Sequence, residues 1–170
     1  ADDRATQELL LRADTVGVFQ CESSGMRATM HKLRARTPYD LAVTNAFFKP
    51  GPSLGGMAGA FVRRYRGLEP VRYLHPALEP ILSSTQGVLI FQEQILRIAV
   101  EIAGLSWAQA DQLRRGVKFH GEEMAALEVQ FIDGCQRPPP GGPGFTPEQA
   151  QALWEQILPF SGYGFNRGHA

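Results

Sequence analysis

The chain has 170 residues, of which 44% are hydrophobic and 20% are charged, a size and composition typical of one folded domain and unlike those of a disordered chain. No apolar run reaches the roughly 20 residues of a membrane-spanning helix, and the N-terminus has no secretory signal, so we expect a cytoplasmic protein. The formal net charge is zero, yet residues 27–66 contain eight basic residues and one acidic residue. Of the 17 cations, 14 are arginine, the residue best suited to phosphate contacts. The concentration of basic residues in 27–66 therefore favours a surface that binds a polyanion. The alternative is a basic face that only contacts solvent.

The first half of the chain predicts three helices and one short strand. Asp2 or Asp3 can cap a helix that runs to about Arg12, and Ser23 or Ser24 can cap a second helix that runs through Leu33. Between them, segment 15–20 contains β-branched and aromatic residues, which predict a strand or a few residues of extended chain. A third helix starts at Thr37-Pro38 and must stop before the Lys49-Pro-Gly-Pro52 loop. An amphipathic turn over 61–65 then carries Arg63 and Arg64 beside it.

The second half is also helical. Apolar spacing predicts a core helix over 87–103 that stops at Gly104, then a Ser106-capped helix through Arg115 and a helix over 124–132. The segment 137–144 is rich in proline and glycine and predicts a surface linker. A Thr146-capped helix follows and stops before Pro159, ahead of a glycine-rich tail. We therefore predict a mainly α fold, a multi-helix module with at most one or two short strands.

Common self-contained active sites are missing from the sequence. There is no phosphate-binding Gly-x-x-x-x-Gly-Lys-Ser/Thr loop, no His-Glu-x-x-His zinc motif and no Gly-x-Ser-x-Gly nucleophile elbow. The four histidines are scattered, and the two cysteines form no C-x-x-C pair. We predict no catalytic residue, no metal site and no bound cofactor in this chain.

Two cationic segments with flanking glycines remain as candidate sites. Arg114 and Arg115 end a predicted helix and are followed by Gly116 and Lys118, an arrangement that can hold phosphates through charge-assisted hydrogen bonds. The alternative is a helix C-terminus whose cations only offset the helix dipole. The tail 162–169 combines glycines, two aromatic residues and a polar cluster that could contact a nucleotide. Its alternative is a turn that docks Phe165 in the core.

Five motifs in order make the sequence resemble the alpha subunit of bacterial DNA polymerase III, the C-family polymerase, over about residues 1–170. Each motif is weak alone, but their order and spacing are specific. They are Gly17-Val-Phe-Gln-Cys-Glu-Ser23, Lys49-Pro-Gly-Pro52, Gly87-Val-Leu-Ile-Phe-Gln-Glu-Gln94, Ala110-Asp-Gln-Leu-Arg-Arg115 and Gly162-Tyr-Gly-Phe-Asn-Arg-Gly-His169.

The resemblance implies the helical fingers region that follows the palm of such a polymerase. In that family the palm supplies three metal-binding aspartates, which would lie upstream of residue 1 and would hold Mg²⁺. We therefore expect a fragment of a DNA-directed DNA polymerase that is inactive by itself. Its expected partners are deoxynucleoside triphosphates, template-primer DNA, the rest of the polymerase and, through it, other replication proteins.

The resemblance also implies site residues. Arg114 and Arg115 match paired arginines that contact the incoming triphosphate, and Lys118 follows them in place of a longer lysine run. Asn166, Arg167 and His169 fall on a Gly-Phe-Asn-Lys-Ser-His pattern of the same pocket. We expect Arg63 and Arg64 to contact DNA, and Lys49, which stands where the family has arginine, to contact nucleic acid or the neighbouring palm.

Departures from the family pattern leave two questions open. The segment after Arg115 is shorter than the family's, and Arg167-Gly168 stands where the family has Lys-Ser, so the parent is either a replicative polymerase or an error-prone paralogue. A different class of function also stays open. The chain can be a stand-alone nucleic-acid-binding module that uses the Arg27–Arg66 surface and ignores triphosphates, or an inert helical scaffold.

Overall fold

A computed structural model describes residues 3–47, 55–116, 121–161 and 167–168. The described residues form two compact units, a division that the sequence analysis did not predict. Unit 1 takes the residues up to Pro70 together with those from Arg167 onward, and unit 2 takes Val71–Asn166. Regular secondary structure in the described ranges is helical and no strand forms, which confirms the mainly α prediction.

The described residues of unit 1 form four α-helices: α1 (Arg4–Arg12), α2 (Ser24–Leu33), α3 (Pro38–Phe47) and α4 (Gly55–Tyr65). The predicted caps at Asp3 and Ser23 are confirmed, because their side chains accept hydrogen bonds from the N–H groups of Thr6 and Met26. Helix α2 packs against α1, α3 and α4. Its buried methionines share an apolar cluster with α1 and the loop after it: Leu10, Ala13, Cys21, Met26, Met30 and Ala35.

Five α-helices form in the part of unit 2 that the structure describes: α5 (Glu79–Leu82), α6 (Gln92–Arg97), α7 (Trp107–Arg115), α8 (Gly121–Gln136) and α9 (Pro147–Ile157). A π-helical turn, Ile98–Ile102, continues α6. Helices α8 and α9 pack together, with the rings of Phe131 and Trp154 5.3 Å apart between centroids. Segment 137–144 lies within this unit as a mostly exposed turn, and the Gly144 N–H donates to the Arg137 carbonyl at 2.9 Å.

The predicted strand over 15–20 is wrong. The Val18 N–H donates to the Thr15 carbonyl and the Cys21 N–H donates to the Val18 carbonyl, so the backbone folds into consecutive turns. Gly17 and Gln20 have positive φ angles of 82° and 58°, which extended strands exclude. Apolar β-formers occupy this segment, but the turn closes locally and leaves Phe19 84% exposed.

The predicted core helix over 87–103 starts five residues late. The side-chain oxygen of Gln94 accepts from the N–H groups of Ile90 and Phe91 at 2.9 and 3.0 Å, so it takes donors that a longer helix would have used internally. Residues 88–91 are buried outside the helix. The predicted stop at Gly104 is confirmed by its φ of 68°. None of the helices in the described residues is long and apolar enough to cross a membrane.

Candidate phosphate-binding site

Helix α7 presents Arg114 and Arg115 in its last turn, and we call these two residues the α7 arginine pair. Ser106 starts the helix by accepting from the Gln109 N–H at 3.2 Å, while the Gln109 side chain accepts from the Ser106 N–H at 2.9 Å. Ala110 and Leu113 are buried and anchor α7 in the core of unit 2. The predicted helix and its cap are confirmed, and the last turn is thereby held in place.

One carboxylate contacts both members of the α7 arginine pair. Arg114 donates from Nε and Nη2 to Oδ1 of Asp111 at 2.9 and 2.6 Å. Arg115 places Nη2 2.7 Å from Oδ2 of the same residue. Hydrogen bonds from Arg114, and then the charges of both arginines, hold the pKa of Asp111 below its usual range. The two guanidinium groups therefore converge on one point at the end of α7.

The end of α7 contacts the residue that precedes the glycine-rich tail. Gly116 has a φ of 33°, and a Cβ built on it would overlap the Cβ of Ser161 and lie 2.7 Å from the Ser161 carbonyl carbon. Only a residue without a side chain allows this approach. Both residues belong to unit 2. The end of α7 thus packs against Ser161, the residue that comes before segment 162–169 in the sequence.

Ser161 brings a buried hydroxyl to this contact. Ser161 is 6% exposed, and its Oγ has no hydrogen-bond partner among the described residues. The predicted site residues Lys118, Asn166 and His169 lie outside the described residues.

Helix α4 carries a second pair of consecutive arginines, Arg63 and Arg64, which we call the α4 arginine pair. Their Nε atoms lie 2.8 and 3.1 Å from the two carboxylate oxygens of Glu69. Hydrogen bonds from Arg63 and then Arg64 hold the pKa of Glu69 below its usual range. Arg63 is the more exposed of the two, with 54% of its side chain accessible against 16% for Arg64. Lys49, the other predicted DNA contact, lies outside the described residues.

Arg167 belongs to unit 1, whereas the α7 arginine pair belongs to unit 2. Its guanidinium carbon lies 5.8 Å from the centroid of the Tyr39 ring, at cation–π distance. Tyr39 is the second residue of α3. Sequence reasoning grouped Arg167 with the α7 arginine pair because of its motif, and it missed the contact with Tyr39, for which the sequence holds no local signal.

Two acidic residues that sequence reasoning passed over now stand at the centre of the arginine pairs. Asp111 lies three and four residues before Arg114 and Arg115, a spacing that places ion pairs on one helix face and could have been recognised. Glu69 lies beyond the end of α4, where no periodic spacing applies. Within the described ranges, no three His, Cys, Asp and Glu side chains come together as a metal site.

The fold and these two clusters define a class: a helical module whose described residues include two pairs of consecutive arginines, each pair held by one carboxylate. Residues 1–138 match the family described as "Bacterial DNA polymerase III alpha subunit finger domain". The chain belongs to this family, as the resemblance in its sequence predicted.

Relatives named error-prone DNA polymerase and a relative named DNA polymerase III subunit alpha both align with almost the whole chain. The chain is 43% identical to the error-prone DNA polymerase of Corynebacterium jeikeium over 95% of its length. It is 41% identical to DNA polymerase III subunit alpha of Halalkalibacterium halodurans over 99% of its length. It is 45% identical to the error-prone DNA polymerase of Mycolicibacterium paratuberculosis over 98%. The chain spans only 14–15% of the length of these relatives.

Proposed function

We propose that this chain binds the incoming deoxynucleoside triphosphate and template-primer DNA within a polymerase that carries out DNA replication or repair synthesis. The observation that supports this proposal most is the convergence of Arg114 and Arg115 on Asp111 at the end of α7. Two adjacent guanidinium groups match a chain of phosphates, since each can offer a planar set of N–H donors to phosphate oxygens. Family membership supports the same assignment.

The role proposed for the α7 arginine pair is binding and orientation. Arginine stays protonated at all physiological pH values, so neither residue can serve as a general acid or base. Their charges would offset those of the triphosphate, and their donors would fix its position relative to the primer end. Other parts of the polymerase would then carry out proton transfer and bind the magnesium ions of the reaction. By itself this chain is proposed to bind without turnover.

The α4 arginine pair is proposed to contact the DNA backbone. Phosphate contacts by arginine position a protein on DNA without reading its sequence. Arg63 is the better placed of the pair because more than half of its side chain is exposed. The proposed partners are template-primer DNA and the remainder of the polymerase.

The proposal is tested by titrating the protein with dATP and Mg²⁺ and following binding by calorimetry. Replacing both members of the α7 arginine pair by alanine should weaken binding at least about tenfold, since each charge-assisted contact contributes roughly 1.5–3 kcal/mol. Arg97→Ala is the matched control, because Arg97 is an exposed unit 2 arginine paired with Glu101. Equal loss of affinity in the control, or none in the double variant, would refute the assignment.

A further inference from the structure

We propose that Asp111 is the positioning residue of the triphosphate site: its carboxylate holds Arg114 and Arg115 together so that both face one phosphate chain. This inference rests on the proposed function. Asp111 contacts the arginines and not the ligand, so it would act only through them.

Asp111 differs from an ordinary ion pair because its two carboxylate oxygens contact two different arginines. Oδ1 accepts from Arg114 and Oδ2 lies 2.7 Å from Arg115. In the exposed pair Arg97–Glu101, both carboxylate oxygens serve the same arginine, at 2.7 and 3.0 Å. Glu101 therefore fixes one guanidinium group, whereas Asp111 joins two that would otherwise repel each other.

The spacing of Asp111 and the two arginines is the favoured one. An acid three or four residues before an arginine lies on the same helix face and stabilises the helix. Asp111 makes this contact with two arginines at once, so it also fixes the orientation of both guanidinium groups. Each arginine keeps N–H groups that Asp111 does not use, since a guanidinium has five and Arg114 directs only Nε and Nη2 to Asp111.

The same arrangement occurs at the α4 arginine pair, where Glu69 also divides its two oxygens between consecutive arginines. The acid lies before the pair on α7 and after the pair at α4. One geometry is thus reached from two different sequence spacings. Its recurrence on both predicted phosphate-contacting pairs supports a functional arrangement.

Asp111 has two opposing effects on an arriving triphosphate. Because Asp111 already orders the side chains of Arg114 and Arg115, ligand binding does not carry the entropy cost of ordering them. The negative charge of Asp111 repels the phosphates. Salt separates the two effects, because it screens the repulsion between exposed charges but leaves the ordering cost unchanged. If positioning dominates, removal of Asp111 should weaken binding, and the loss should increase with salt.

The experiment compares binding of dATP with Mg²⁺ to the wild-type chain, Asp111→Ala and Asp111→Asn at about 50 mM and about 300 mM salt. We expect Asp111→Ala to bind roughly 3- to 10-fold more weakly at the higher salt, and Asp111→Asn, which keeps an acceptor oxygen, to lie between it and the wild type. Glu101→Gln, which weakens the single-arginine pair, should bind like the wild type.

A nuclear magnetic resonance readout reports the positioning directly. The Nε–H signal of Arg114, protected by Asp111 in the wild type, should broaden or vanish in Asp111→Ala while the backbone spectrum of α7 persists. Wild-type affinity of Asp111→Ala at the higher salt would overturn the inference. If the Arg114→Ala/Arg115→Ala variant also binds dATP normally, the proposed function fails, and this inference fails with it. If only the double variant loses binding, this inference alone is wrong.

Discussion

The hydroxyl of Tyr65, in the last turn of α4, donates to Oδ1 of Asp40 on α3 at 2.6 Å. Asp40 is 2% exposed, and its Oδ2 accepts from the N–H groups of Arg36 and Thr37 at 2.8 and 2.9 Å. One carboxylate thus caps the start of α3 and ties α3 to the end of α4. The α4 arginine pair directly precedes Tyr65, so this hydrogen bond holds the turn that carries it.

We expect Asp40→Ala to lower the free energy of unfolding by about 2–4 kcal/mol, since three donors lose their acceptor. Tyr65→Phe, which removes only the hydroxyl, should cost about 1–2 kcal/mol. Urea unfolding followed by circular dichroism measures both values. A Tyr65→Phe variant as unstable as Asp40→Ala would show that the Tyr65 hydrogen bond alone carries the contribution and that the N–H groups of Arg36 and Thr37 add nothing to it.

Tyr65 should titrate late. Burial, followed by the hydrogen bond to Asp40, raises the pKa of Tyr65 to about 12. A raised pKa favours the protonated folded form, so its contribution to stability is complete below pH 10 and is lost as the pH rises from about 10 to about 12. Ultraviolet absorbance at alkaline pH should show a late phenolate step that Tyr65→Phe removes. Loss of an early step instead would contradict the assignment.

Gly134 permits the close approach of α8 to the end of the π-helical turn. A Cβ there would overlap the carbonyl oxygen of Ala103 and lie 2.8 Å from its carbonyl carbon. Because backbone atoms cannot move aside easily, Gly134→Ala should cost about 1–3 kcal/mol of stability. Gly121→Ala on the same helix is the control, since a Cβ there meets nothing within 4 Å. Its stability should stay the same or rise by up to about 1 kcal/mol, and an equal loss in both variants would point to the helix backbone as the cause.

Gly116 should matter for both stability and binding. Alanine at this positive φ is strained and collides with the backbone of Ser161, so Gly116→Ala should lose about 1–3 kcal/mol and weaken dATP binding. Ser161→Ala keeps that backbone and removes a buried hydroxyl without a described partner, so its stability should change by less than about 1 kcal/mol. Wild-type binding by Gly116→Ala would mean that the contact does not shape the arginine site.

Local chemistry made most of the helices predictable. Asp3, Ser23, Ser106 and Thr146 cap helices because their side-chain oxygens bond to nearby N–H groups, an interaction that a few neighbouring residues decide. Segment 15–20 and the late start of α6 could not be predicted from local preference. In segment 15–20, a turn with two positive φ angles forms in spite of the apolar, β-branched sequence. At α6, the side chain of Gln94 accepts from the N–H group of Ile90, and the helix starts later than its apolar pattern predicts.

The candidate site was predictable only in part. Motif resemblance identified the arginines, and helix spacing was enough to relate Asp111 to them. The pairing of Glu69 with Arg63 and Arg64, the ring of Tyr39 beside Arg167, and the contact of Gly116 with Ser161 depend on how the chain folds back on itself. No spacing rule within the sequence specifies such contacts.

We propose that the two arginine pairs serve two different ligands, and a crossed comparison of their variants separates these roles. The affinities for dATP with Mg²⁺ and for a primer-template duplex are measured for Arg114→Ala/Arg115→Ala and for Arg63→Ala/Arg64→Ala over a range of salt. The first variant should lose dATP binding and keep DNA binding. The second should keep dATP binding, lose DNA affinity and show a salt slope reduced by about 1.8, or about 0.9 for each lost phosphate contact. If both variants lose DNA affinity equally and neither changes dATP binding, the chain is a general nucleic-acid-binding module and Arg114 and Arg115 form no triphosphate site.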